Sequence, residues 1–305
     1  MQTTTTSGLT GRWATLAIVL LTGLGLVGAT APATAQPTRD HGRIVVRASA
    51  EGLTLSRDVT HAGKVTITVE SLFEDTGDGH HLAGGAMMFK LNPPATLATL
   101  RADFQDELSD DNAVAARGTR NLTRHARFYG LAEITHKKTV SVTQTLSAGT
   151  YYLIDNLELA EGTAHLVALT VVGTSRDHGG KESRHLTTVS MTANDRFAVA
   201  GSLPAKGTIS VRNRSDTLHF MQMWPVLPGT TDKAVQAWLD DGAQGDPGFL
   251  VDGPSTGLNL LSPGQSVQMT YDMPAGSYLL FCEIRDARTG VPHVFMGMHN
   301  VVTLK

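Results

Sequence analysis

The sequence predicts an all-β protein built as two tandem Greek-key β-sandwich domains with short crossover helices. Three observations carry that expectation. Apolar and polar residues alternate at period two along many short runs. Gly, Pro, Asp and Asn punctuate those runs, as they do between the strands of a sandwich. A segment near residue 147 also recurs near residue 274, so one pattern is used twice.

The chain begins with a stretch to be set aside before the fold is read. Arg12 precedes WATLAIVLLTGLGLVGA, and the stretch ends in ATAPATA before Gln36. A positive region, an apolar region and a small-residue cleavage site are the marks of a secretory signal, expected at residues 1–35. The alternative is a retained anchor, which Thr22, Gly23, Gly25 and Gly28 weaken. No later segment is long and apolar enough to span a bilayer, so a secreted, extracytoplasmic protein is expected.

Of 305 residues, 25 are Lys or Arg and 28 are Asp or Glu, giving a formal net charge of −3. That balance, with basic residues scattered, gives no reason to expect a nucleic-acid partner. Cys282 is the one cysteine. In a secreted chain it has no internal disulfide partner, which leaves it buried, intermolecular or a metal ligand.

The runs at Val65-Thr66-Ile67-Thr68-Val69, Val140-Ser141-Val142-Thr143, Thr208-Ile209-Ser210-Val211 and Ser266-Val267-Gln268-Met269 read as half-buried antiparallel strands. Helical patterns are expected at residues 95–107 (ATLATLRADFQDE) and 232–240 (DKAVQAWLD), each between groups of strands. SAGTYYLIDN aligns without gaps on PAGSYLLFCE, so Gly149 matches Gly276, Tyr151 matches Tyr278 and Asp155 falls where Cys282 falls. A period of about 130 residues marks two domains, since solenoid repeats run to about 20–50 residues. They are placed at 36–175 and 184–305, with the boundary in the polar, Gly-rich loop at 173–184.

The last thirty residues, GSYLLFCEIRDARTGVPHVFMGMHNVVTLK, carry the chemistry. Cys282 closes one expected strand, His293 opens the next and Met298 follows behind Gly297, while His219 lies upstream in NRSDTLHFMQMW. A thiolate and two imidazoles with a weak thioether form the set that a blue copper site needs, the thioether lying axially. Met221 and Met223 share the strand parity of His219 and read as core filling rather than a Cu(I) cluster.

These residues resemble the cupredoxin family, whose members end in a strand, Cys, a loop, His, a short gap, Met and a final strand. GVPHVFMGMHNVVTL is similar to the ligand loop of copper nitrite reductases. The resemblance implies one type 1 copper held by His219, Cys282, His293 and Met298, with Met296 competing for the axial role. It implies electron transfer or copper holding, with a redox partner protein. The first domain is expected to lack the site, since Asp155 replaces the thiol and no Met follows His165 at the matching place. His80 and His81 stand where an upstream ligand would lie.

Catalytic readings find little support. Phe281 precedes Cys282, where nitrite reductases place a His, and no His-x-His pair of the multicopper oxidases occurs. No phosphate-binding Gly loop or HExxH helix is present, so the expectation is a non-enzyme. The alternative is a metal-free β-sandwich module for binding at the cell surface, with residues 283–290 (EIRDARTG) as its recognition loop. Two features favour it: ten residues separate Cys282 from His293, and Phe220 follows His219 where blue copper proteins often have Asn.

Overall fold

The computed structural model describes residues 43–73, 84–135, 138–155, 166–174 and 186–305. The expected signal at 1–35, His80, His81, His165 and most of the boundary loop lie outside them. In the first half, strands run β1 (Arg43–Ser49), β2 (Gly52–Leu55), β3 (Val59–His61), β4 (Gly63–Ser71), β5 (Gly84–Gly85) and β6 (Met87–Leu91). Helices α1 (Leu97–Glu107) and α2 (Asn112–His125) follow. Then come β7 (Ala126–Phe128), β8 (Ala132–Ile134), β9 (Thr139–Leu146), β10 (Gly149–Ile154) and β11 (Val167–Val172). The second half runs β12 (Thr188–Met191), β13 (Phe197–Ala200), β14 (Lys206–Asn213), β15 (His219–Val226) and α3 (Asp232–Asp240). It ends with β16 (Thr256–Leu261), β17 (Ser266–Asp272), β18 (Gly276–Phe281) and β19 (His299–Leu304).

All four expected strands are present, inside β4, β9, β14 and β17. In β9 and β17 buried residues alternate with more exposed ones, as period two requires. The two expected helices are α1 and α3. Each is capped by a threonine, Thr96 accepting from the Thr99 N–H and Thr231 from the Ala234 N–H. Helix α2 lies outside the expected elements; its buried face is Ala115, Ala116, Gly118, Thr119 and Leu122, with Leu122 its one large apolar side chain. The cap at Asp111, which accepts from the Ala113 and Val114 N–H groups, was the available signal.

The strands form three sheets, in the orders β13-β12-β14-β17-β9-β4-β1-β2, β3-β11-β10-β6-β7 and β19-β18-β15-β16-β8-β5. Most neighbours are antiparallel, but β1 with β4, β3 with β11 and β12 with β14 are parallel. Two of the sheets run through both halves of the chain. Antiparallel β17 and β9 join one, with Met269 opposite Val142, and β16 and β8 join the other, with Gly257 opposite Glu133. Among the described residues a large apolar cluster fills the space between sheets, with Ile67, Val142, Tyr151, Met269 and Leu280 among its fully buried members. A smaller cluster under α3 holds Val235, Leu239, Leu279 and Phe281.

The sequence repeat is a structural one. β10 and β18 start at Gly149 and Gly276, and the buried tyrosine two residues on makes the same bond in each. Tyr151 Oη donates to Ser147 O at 2.9 Å, and Tyr278 Oη donates to Pro274 O at 3.1 Å. Asp155 is buried directly after β10, as Cys282 is directly after β18.

One local expectation is corrected. His293 does not open the last strand, which starts six residues later at His299. Residues 293–297 fold into turns instead, with the Met296 N–H donating to His293 O at 3.0 Å and the Gly297 N–H to Val294 O at 3.0 Å. Gly297 has φ +94°, a left-handed conformation that ends any extended run.

Candidate metal centre

Cys282 lies one residue past β18 and His219 is the first residue of β15, and these two strands are neighbours. Their pairing, with Gln222 opposite Phe281, brings the thiol and the first imidazole to one end of the sheet. The β15–β16 register shifts between His219 and Met221, a bulge of the kind that re-aims a side chain. His293 returns to the same end because the intervening loop folds back on itself. The His293 N–H donates to Ile284 O at 3.0 Å, and the Asp286 N–H to Val291 O at 2.9 Å. Met298 is tied to both neighbours, since its N–H donates to His293 O at 2.9 Å and its carbonyl accepts from the Cys282 N–H at 3.2 Å.

Cys282 Sγ lies 3.8 Å from His219 Nδ1 and 3.9 Å from His293 Nδ1. The two rings stand 4.8 Å apart, tilted by 52°. His219, Cys282, His293 and Met298 are all 0% exposed. The four residues expected as ligands therefore form one buried cluster. Met296 is only partly buried, and Met221 and Met223 belong to the apolar core, as core filling requires.

The donor set fits one soft or borderline ion. Bond lengths of about 2.3 Å to sulfur and about 2.0 Å to nitrogen, at trigonal angles, place S and N about 3.7 Å apart. The two observed separations are within about 0.2 Å of that value. Electrostatics agree. Burial pushes the Cys282 thiol far above its ordinary range, so the thiol keeps its proton until a cation displaces it. Burial, with His293 nearby, pulls His219 down to about 3, which keeps its imidazole neutral with a lone pair to offer. His293 is likewise lowered, first by burial, although Asp195 and Asp286 act the other way.

Phe220, set against copper by its side chain, contributes its backbone: its N–H donates to Cys282 Sγ at 3.4 Å. Asn213 steadies the approach to His219, its Nδ2 donating to Thr217 O and to Leu261 O at the end of β16, both at 2.8 Å. Two more residues escaped the sequence reading. Asp195, in the turn between β12 and β13, stands 3.6 Å from His219 Nε2. Asp286, inside the ligand loop, stands 3.9 Å from His293 Nε2. Asp286 Oδ1 accepts from the Arg288 N–H, the Thr289 N–H and the Thr289 hydroxyl at 3.1, 2.7 and 2.7 Å. An Asp three residues before a Thr was its visible signal.

The long loop is held by the first half of the chain. Glu107 at the end of α1 accepts from the Arg285 N–H at 3.2 Å, and Arg120 of α2 donates to Ala287 O. Gly290 lies so close to α2 that a Cβ there would sit 1.9 Å from Asn112 O. Residues 283–290 are thus packed on α1 and α2.

No protein-family model and no curated protein matches the chain. Among solved structures, it is similar to auracyanin B at 18% identity, covering 41% of this chain and 92% of that one, with a TM-score of 0.25. It is similar to reduced rusticyanin at 17% identity, over 42% and 89%, with a TM-score of 0.24. A copper nitrite reductase from Nitrosomonas europaea matches at 12% identity over 87% of this chain and 94% of that one, with a TM-score of 0.23. The chain is thus similar to cupredoxins over part of its length and to a copper enzyme over most of it.

Proposed function

We propose that this protein is a secreted, non-enzymatic copper protein that binds one ion through Cys282, His219 and His293, with Met298 as the weak axial ligand. The observation that carries the reading is the approach of both Nδ1 atoms to one buried thiol, at 3.8 and 3.9 Å. The residues themselves do three things. They supply one thiolate and two neutral imidazoles, they keep water out, and they fix the donors at one end of the paired strands β15 and β18 and in the adjoining turn before any ion arrives. A bound copper would supply one-electron redox chemistry. The task is electron transfer with a redox partner protein, or copper holding outside the membrane.

Titration of residues 36–305 with Cu(II), followed by visible absorption and electron spin resonance, tests the reading. An intense thiolate charge-transfer band reaching its limit at one equivalent is expected, and it should be absent from Cys282→Ser. A colourless protein without stoichiometric copper overturns it.

A further inference from the structure

Each imidazole of the site has a buried carboxylate on the side turned away from Cys282. His219 Nε2 faces Asp195 Oδ1 at 3.6 Å, and His293 Nε2 faces Asp286 Oδ2 at 3.9 Å. Asp195 is 6% exposed and Asp286 2%. Both Nε2 atoms are buried and lack a hydrogen-bond partner among the described residues. The two carboxylates come from distant parts of the chain, and each is held in place. Asp195 occupies a left-handed turn position at φ +53°, with its N–H donating to Thr192 O at 3.0 Å. Asp286 spends Oδ1 on Arg288 and Thr289, which leaves Oδ2 facing His293 and, at 3.8 Å, Arg288 Nε.

We propose that Asp195 and Asp286 are positioning residues that hold both imidazoles with the proton on Nε2, aim both Nδ1 lone pairs at Cys282 Sγ, and bias a bound copper towards Cu(II). The proposal rests on the copper reading above and deepens it.

At 3.6 and 3.9 Å the pairs exceed direct hydrogen-bond length, so they act through the field of a charge in a low-dielectric site. A carboxylate repels an imidazole lone pair and attracts an N–H, so the proton belongs on Nε2 and the lone pair on Nδ1. That is the tautomer a metal on the thiol side requires, and outer carboxylates of this kind also raise the basicity of the ligating nitrogen. Each ionised carboxylate also favours the more positive ion, Cu(II) over Cu(I), in a site where both rings are 0% exposed. The Arg288 guanidinium near Asp286 is mostly exposed, so solvent screens its opposing charge.

The test uses residues 36–305 loaded with Cu(II), beside Asp195→Asn, Asp286→Asn and the control Asp272→Asn. Asp272 is an exposed carboxylate paired with Lys206. Potentiometric titration of the charge-transfer band reads the Cu(II)/Cu(I) balance. Each buried substitution should move that balance about tenfold or more towards Cu(I), a rise of about 59 mV for one electron, while the control stays at the wild-type value. Shifts no larger than the control's overturn the proposal. So does uptake of a second equivalent of metal by the wild type, which would make Asp195, Asp286 and His293 a cation site of their own. Nitrogen-15 resonance of the copper-free protein probes the pairing separately, needing neither copper nor a substitution. Nε2–H rings at His219 and His293 support the pairing, and Nδ1–H rings overturn it. A wild type that takes no copper defeats the proposed function and the bias together, while the resonance result still decides the pairing.

Discussion

Gly290→Ala asks whether the ligand loop is truly seated on the first half of the chain. Gly290 has φ +73°, where an L side chain costs about 1–2 kcal/mol whatever its surroundings. Its added Cβ would also lie 1.9 Å from Asn112 O, 2.6 Å from Asn112 C and 2.7 Å from Asn112 Cα. These are backbone atoms, which cannot swing aside as a side-chain tip can. Overpacking of that kind costs about 1–3 kcal/mol, so the whole change should destabilise by about 2–5 kcal/mol. Gly264→Ala is the matched control, with the same φ of +73° and nothing within 4 Å of its added Cβ. It should cost only the conformational part, about 1–2 kcal/mol. At about 2–4 °C per kcal/mol for a protein of this size, thermal unfolding should fall by about 4–20 °C for Gly290→Ala. For Gly264→Ala it should fall by about 2–8 °C. Equal losses in the two variants would refute the packing of loop against α2.

The remaining predictions concern the site and its supports. Met298→Leu keeps the buried volume, so stability should change by less than about 1.5 kcal/mol; the charge-transfer band should persist at a changed potential, and its loss would deny Met298 the weak axial role. Copper at about 100 times its dissociation constant should stabilise the wild type by about 2.7 kcal/mol in thermal or denaturant unfolding, and Cys282→Ser should show no such gain. Burial raises the Glu107 carboxyl above its ordinary value, outweighing the Arg285 N–H and charge. The folded pKa then exceeds the unfolded one, so this stabilisation is complete below about pH 4.3 and is lost as pH rises through the folded pKa. Glu107→Gln keeps an oxygen for the Arg285 N–H. It should therefore unfold at a higher temperature than wild type at pH 7, with the gap closing towards pH 4.

Much of the architecture was legible because it follows from local chemistry. Alternation in Val140-Ser141-Val142-Thr143 depends only on one buried face, and the Tyr151 and Tyr278 corners repeat because two similar sandwiches need them. The four candidate ligands were legible because a thiol, two imidazoles and a thioether are scarce residue types standing in a constrained order. What was hidden depended on three dimensions. Helix α2 buries small residues, since Gly118 lets α1 approach until a Cβ would sit 2.2 Å from Glu107 N. Asp195 is an ordinary turn aspartate until the β12–β13 hairpin is placed beside His219. The turn at residues 293–297 was masked by Val294, Phe295 and Met296, whose apolar run reads as strand.

The loop between Cys282 and His293 shows why a departure from a pattern should be weighed by what its residues touch. Its length counted against a copper site when read as sequence. Folded, Arg285 presents its N–H to Glu107 at 3.2 Å, Asp286 stands 3.9 Å from His293 Nε2, and Arg288 lies 3.8 Å from Asp286. A shorter loop would bring His293 back to Cys282 without reaching α1 or α2, and it would have no room for the turn that holds Asp286. The extra residues thus connect the candidate metal corner to the half of the chain whose own corner carries Asp155 in place of a thiol. On this reading the first half keeps its place in the molecule as the support against which the second half's ligand loop is set.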